Sequence, residues 1–262
     1  MMLARLLDSE SGIRCLHEGN RLAADGESVQ LLEYLTLQNV VAYHNPSDAL
    51  AIMQQKRSGL IGHSEANGVI LFGDIAYNYA PFVAVLPQLR PDAKLIAMFR
   101  DGREFVRSVI TKEDPDPTPV GWLGRPPSTR VERFIALGRL RPAPHDPLAA
   151  EWPELSAVAR NAWLWAETNR LILDGLQAWK PENVARLSFE AFFADLEANY
   201  QILRAFLGLS APVSEATRAL CRHPVNPRRG KTMPPWPDWR KQEQDDFRRF
   251  AGAMMSRLGY DF

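Results

Sequence analysis

Short apolar runs alternate along the chain with longer stretches of helical periodicity, which predicts an α/β fold with a mainly parallel central sheet flanked by helices. The apolar runs predict strands over Ile13–His17, Gly59–His63, Lys94–Phe99 and Val184–Ser188. Apolar residues recurring every three or four positions predict helices over Met2–Leu7, Ser28–Leu37, Ser47–Lys56, Ile75–Leu89, Gly102–Lys112, Leu155–Trp179, Phe189–Leu207 and Lys241–Leu258. No internal repeat is visible. Between Asp114 and Pro153 the periodicity breaks down, with nine prolines together with Trp122 and Trp152. An irregular stretch of this length inside a compact domain is read as a lid or insertion, here part of an acceptor-binding wall.

The run KLIAMFRDGREFVRS, Lys94 to Ser108, stands out because it ends abruptly in an arginine and a polar turn that opens a helix. A buried parallel strand of this form delivers Arg100 at its carboxyl end, where open α/β sheets bind ligands. Arg100 supplies a forked charged donor, and Ser108, two turns into the helix, is placed to fold back toward the same anion. Arg103 is a possible assistant. The bland alternative has Arg100 capping the sheet and Ser108 on a solvated helix face.

With 262 residues, 46% of them hydrophobic, the chain is long enough for one large core, so residues 1–262 are expected to form a single domain. Basic and acidic residues number 31 each, so net charge suggests neither a nucleic-acid nor an anionic-membrane partner. Cys15 and Cys221 alone provide no disulfide framework and no thiol set for a metal. No run approaches the roughly 20 apolar residues that span a bilayer, and a cytoplasmic location is expected.

Arg228, Arg229 and Lys231 form a basic cluster in a proline and glycine loop before the last helix. Gly230-Lys231-Thr232 looks like the end of a nucleoside-triphosphate loop, but that motif needs a glycine where Val225 stands, so a kinase or ATPase is set aside. For a proton acceptor, Glu18 follows the strand ending at His17, and His63 and Glu65 close or follow the strand starting at Gly59. His44, before Pro46, is read as a surface residue in a polar loop.

The strand with Arg100, Asp101, Arg103 and Ser108 resembles the 3'-phosphate-binding element of sulfotransferases that use 3'-phosphoadenosine 5'-phosphosulfate (PAPS). The segments Gly73–Ile96, Asn183–Leu209 and Trp239–Phe262 also resemble that family, in family order. The resemblance implies a P-loop-like fold and transfer of a sulfuryl group from PAPS to an acceptor hydroxyl, on a small molecule, glycan or lipid, leaving adenosine 3',5'-bisphosphate. It implies no metal. It places the 3'-phosphate on Arg100 and Ser108, and closes the loop of Arg228, Arg229 and Lys231 over the nucleotide. It ranks Glu18 first as general base, followed by His63 and Glu65, with Asn67 as an acceptor or nucleotide contact.

The chain departs from the family at its start. The helix beginning at Leu3 resembles the one that follows the family's first strand and its Ser-Gly-Thr-Thr loop, which cradles the 5'-phosphosulfate with backbone N–H groups. The first strand is therefore expected to be missing, through a late start codon or through degeneration of the fold. A late start is the favoured expectation, because losing a central strand uncovers its neighbours' backbone groups. Activity is expected to be impaired without the cradle. The alternative is a non-catalytic nucleotide-binding or interaction protein on the same fold.

Overall fold

A computed structural model describes residues 2–17, 38–55, 69–113, 138–222 and 233–262. Helix α1 (Met2–Asp8) leads into β1 (Ile13–His17), and helical residues 38–44 (α2) and 49–55 (α3) follow. Next come β2 (Leu71–Ile75), a 3-10 turn over Tyr77–Phe82, α4 (Leu86–Leu89), β3 (Leu95–Phe99) and α5 (Gly102–Glu113). The rest is α6 (Leu148–Glu151), α7 (Ala157–Gly175), β4 (Val184–Ser188), α8 (Phe189–Ala194), α9 (Leu196–Leu207), α10 (Glu215–Arg222) and α11 (Lys241–Arg257).

Among the described residues the strands form two parallel pairs, β1 with β2 and β3 with β4, so the expected α/β class holds in its coarse form. Both pairs contribute to one apolar layer. Ile13 and Cys15 of β1, Leu71 and Ile75 of β2, Ile96 and Met98 of β3 and Leu187 of β4 pack with α1 and with Phe192, Leu196, Tyr200 and Leu203 of α8 and α9. Side chains alternate across a strand, so Ala97 and Phe99 of β3 point the other way, into a core of α5, α7 and α11 residues that includes Val106, Trp165 and Phe247. Strand β3 thus has helices on both faces.

The pairs also share a starting end. Lys94, just before β3, donates through Nζ to the Phe206 carbonyl in the last turn of α9, and Glu10, just before β1, contacts Arg204 two residues earlier. Both β1 and β3 therefore set out from the C-terminal end of α9.

The helix expected over Ile75–Leu89 is not formed. Ile75 ends β2, whose residues Leu71 to Ile75 pair in register with Ile13 to His17. Pro81 then lacks the N–H that an α-helix interior needs, and the chain takes a 3-10 form across it before the short α4.

The helix expected over Phe189–Leu207 is two helices. Asp195 breaks it, with φ −135 and its carboxylate accepting from Ala198 N at 3.2 Å as an N-cap. The helix expected from Leu155 starts at Ala157, because Ser156 takes the N-cap and its Oγ accepts from Ala159 N at 3.0 Å. That helix gives way to a 3-10 turn over Leu176–Ala178.

The helix expected from Ser47 begins as a 3-10 turn over Pro46–Asp48, with the α-helix over 49–55. His44 ends α2 and contacts the Arg141 carbonyl through Nε2 at 3.2 Å, instead of lying in a polar loop. Helix α10 was not expected, although Ser214 carries a capping signal and its Oγ accepts from Thr217 N at 3.1 Å.

The expected helix over Ser28–Leu37 and strand over Gly59–His63 lie outside the described residues, as does 114–137 of the irregular stretch. Its described part packs closely. Leu140 is buried against Leu164, and Trp152 meets Trp163 edge-on at 5.1 Å. Among the described residues no helix is long and apolar enough to cross a membrane.

Candidate functional site

The turn from β3 into α5 carries Arg100 and is fixed on three sides. Trp165 Nε1 on α7 donates to the Arg100 carbonyl at 3.0 Å. The Asp101 N–H donates to Glu190 Oε1 on α8 at 3.0 Å. Asp101 itself caps α5, its Oδ1 accepting from Arg103 N at 2.8 Å and its carbonyl from Phe105 N at 2.9 Å. Gly102 follows because nothing larger fits: a Cβ there would lie 2.9 Å from the Trp165 ring and 3.1 Å from Phe247 Cζ. We expect Gly102→Ala to cost about 1–3 kcal/mol through overpacking. An unchanged urea midpoint would show that the two rings give way.

On this turn the Arg100 side chain is partly exposed, its guanidinium 4.8 Å from the centre of the Phe189 ring. An arginine stacked on an aromatic face keeps its forked donors in plane for a phosphate or carboxylate. Among the described residues Glu104 is an anion beside it, with Oε2 at 3.7 Å from Arg100 Nη2. Its other oxygen accepts from Arg107 Nη1 at 3.0 Å, and Arg107 Nε donates to the Met233 carbonyl at 2.9 Å. Glu104 is thus shared between the guanidiniums of Arg100 and Arg107.

Ser108, four residues beyond Glu104, is on the same helical face, and at 4% exposure it does not lie on a solvated one. Arg100 and Ser108 therefore belong to one strand-turn-helix unit. Arg103 is occupied elsewhere, in a fork on the Asp101 carboxylate with Nη2 to Oδ2 at 2.6 Å. That hydrogen bond raises the guanidinium pKa despite burial, and it makes Arg103 part of the turn's brace instead of a free anion ligand.

Glu18, His63, Glu65, Asn67, Arg228, Arg229 and Lys231 lie outside the described residues. Among the described ones, β2 presents a strand-end carboxylate that the sequence reading missed. Asp74 stands opposite Leu16 of β1, and Tyr79 donates its hydroxyl to Oδ2 at 2.7 Å. The expected helix begins at Ile75, the last residue of β2, and Gly73 and Asp74 break the apolar run before it, so no local pattern marks this strand's carboxyl end. Glu190 was missed for another reason: its contact with Asp101 spans 89 residues, and no local pattern signals that.

No family model matches the chain, and neither a curated protein nor a solved structure does.

Proposed function

We propose that this chain is built on a PAPS-dependent sulfotransferase fold and binds the 3'-phosphate of the nucleotide through Arg100 and Ser108. The observation that carries this reading is Arg100 at the carboxyl end of a parallel strand, on a turn braced by Trp165, Glu190 and Gly102, with Ser108 buried two turns along the next helix. The stacked guanidinium suits a phosphate held for positioning, and sulfuryl transfer depends mostly on positioning and electrostatics. In this reading Glu18, His63 or Glu65 accepts the acceptor's proton, and Arg228, Arg229 and Lys231 close over the nucleotide. The acceptor is a hydroxyl on a small molecule, glycan or lipid.

The reading also calls for a further parallel strand joining the two pairs, with a backbone cradle for the 5'-phosphosulfate. It is supported, among the described residues, by two strand pairs that share one apolar layer and set out from one end of α9. A second reading, a non-catalytic nucleotide-binding protein on the same fold, is favoured by Glu104, whose carboxylate competes with a phosphate for Arg100. Turnover of labelled PAPS separates the two.

Calorimetry tests the shared core of both. The chain is expected to bind adenosine 3',5'-bisphosphate more tightly than AMP. Charge-assisted hydrogen bonds contribute about 1.5–3 kcal/mol, so Arg100→Ala is expected to weaken the bisphosphate about tenfold or more and AMP little. Equal affinity of the two nucleotides for the unaltered chain removes the assignment.

A further inference from the structure

Beyond α11 the chain reverses at Gly259, whose φ of 76 is a left-handed value that favours glycine. Tyr260 N–H then donates to the Met255 carbonyl at 2.9 Å, and its hydroxyl reaches α8 and donates to Glu190 Oε2 at 3.0 Å. Two residues on, Phe262 lies against α11, its Cζ 3.6 Å from where a Cβ on Gly252 would stand, with ring centres of Trp236 at 6.0 Å and Phe247 at 6.2 Å. Residues 259–262 thus form a short strap, held through its backbone, one hydroxyl and one ring. Glu190 passes that hold on. Ser188 Oγ donates to the same Oε2 at 3.2 Å, while Oε1 takes the Asp101 N–H at 3.0 Å.

These contacts are weakly protected: Phe262 is 51% exposed, and the Tyr260–Glu190 hydrogen bond lies in the open, where water competes for both partners. Segments held this way open at far lower free energy than the whole fold. An exposed glutamate must also give up rotamer freedom before it can accept a bond. With Oε2 held by Tyr260 and Ser188, Oε1 already stands at the Asp101 N–H. Burial, then the hydrogen bond to Glu190, pushes the phenol's pKa up, so Tyr260 is a donor at ordinary pH. We propose that the strap and the turn from β3 into α5 form one local opening unit: when Tyr260 leaves Glu190, the carboxylate loosens its hold on Asp101, and tail and turn open together while α7 stays folded. The coupling runs in both directions and does not depend on what Arg100 binds.

Amide hydrogen exchange on the full chain tests this, with Tyr260→Phe, Glu190→Ala and the double variant. In Tyr260→Phe the Asp101 amide is expected to exchange about threefold to tenfold faster, the worth of one hydrogen bond, while Leu164 within α7 keeps its rate. An unchanged Asp101 rate overturns the proposal. So does a rise at Leu164 by the same factor, which is what a general loss of stability gives. Glu190→Ala should quicken the Tyr260 amide in turn, a reciprocal effect that decides the matter even if Tyr260→Phe does not fold; an unchanged Tyr260 rate there overturns it. On the Glu190→Ala background Tyr260→Phe should add nothing at Asp101. A further rise would show that Tyr260 reaches the turn by another route, and overturns the relay through Glu190.

Discussion

Replacing Arg204 by leucine is expected to destabilise the chain by about 3–5 kcal/mol, the loss that follows when one member of a buried ion pair is removed. Arg204 on α9 and Glu10 before β1 are 4% and 9% exposed, and Arg204 Nε lies 2.7 Å from Glu10 Oε1. The same carboxylate oxygen accepts from the Tyr200 hydroxyl at 3.1 Å, and Arg204 Nη2 donates to the Ala211 carbonyl at 2.5 Å. Burial and the neighbouring Glu10 push the Tyr200 phenol's pKa up, so it acts as a donor. Without the guanidinium, Glu10 would be a buried charge with one neutral donor. The pair joins the start of β1 to α9, so its loss reaches the layer that both strand pairs share. Urea denaturation reads the effect through the shift in midpoint. The double variant Glu10→Met with Arg204→Leu should recover most of the loss, because apolar side chains of similar volume fill the site without stranding a charge. A fall below about 1 kcal/mol in Arg204→Leu would mean that Glu10 finds water or another partner.

Elements bounded by strong local signals were legible in the sequence. Strands β1 and β4 fall where the apolar runs placed them, each opened by a turn, at the left-handed Gly12 and at the 3-10 turn over Pro181–Asn183. Strand β3 and the helix after it were legible too, because an unbroken apolar run ending in Arg100 has few other structures open to it. Strand β2 was not, since Gly73 and Asp74 dilute its apolar pattern and the residues around Pro81 mimic a helical period. The site divides in the same way. Arg100 and Ser108 are a local motif, whereas Glu190 and Tyr260 reach each other across 70 residues. The pattern of a single segment reports the strand, the turn and the helix after it, but the residues that hold the turn carrying Arg100 in place come from elsewhere in the chain.

Phe247→Ala is expected to cost about 3–5 kcal/mol and to loosen that turn. Phe247 on α11 is fully buried, with Trp236 at 5.2 Å, Trp239 at 5.7 Å and Phe262 at 6.2 Å between ring centres. Truncation removes the ring around which these aromatics meet edge-on and opens a cavity that the large, rigid neighbours fill poorly. The cavity would lie under the first turn of α5, because Phe247 Cζ and the Trp165 ring are what a side chain at Gly102 would strike. Coupling between the two positions checks this geometry. With Phe247 truncated, Gly102→Ala loses one of its two clashes and should cost less than in the unaltered chain, so the two changes should fall short of additivity by about 0.5 kcal/mol or more. Strict additivity in a urea double-mutant cycle would show that Trp165 alone limits the space at Gly102, and that the turn bearing Arg100 is seated on α7 with no support from α11.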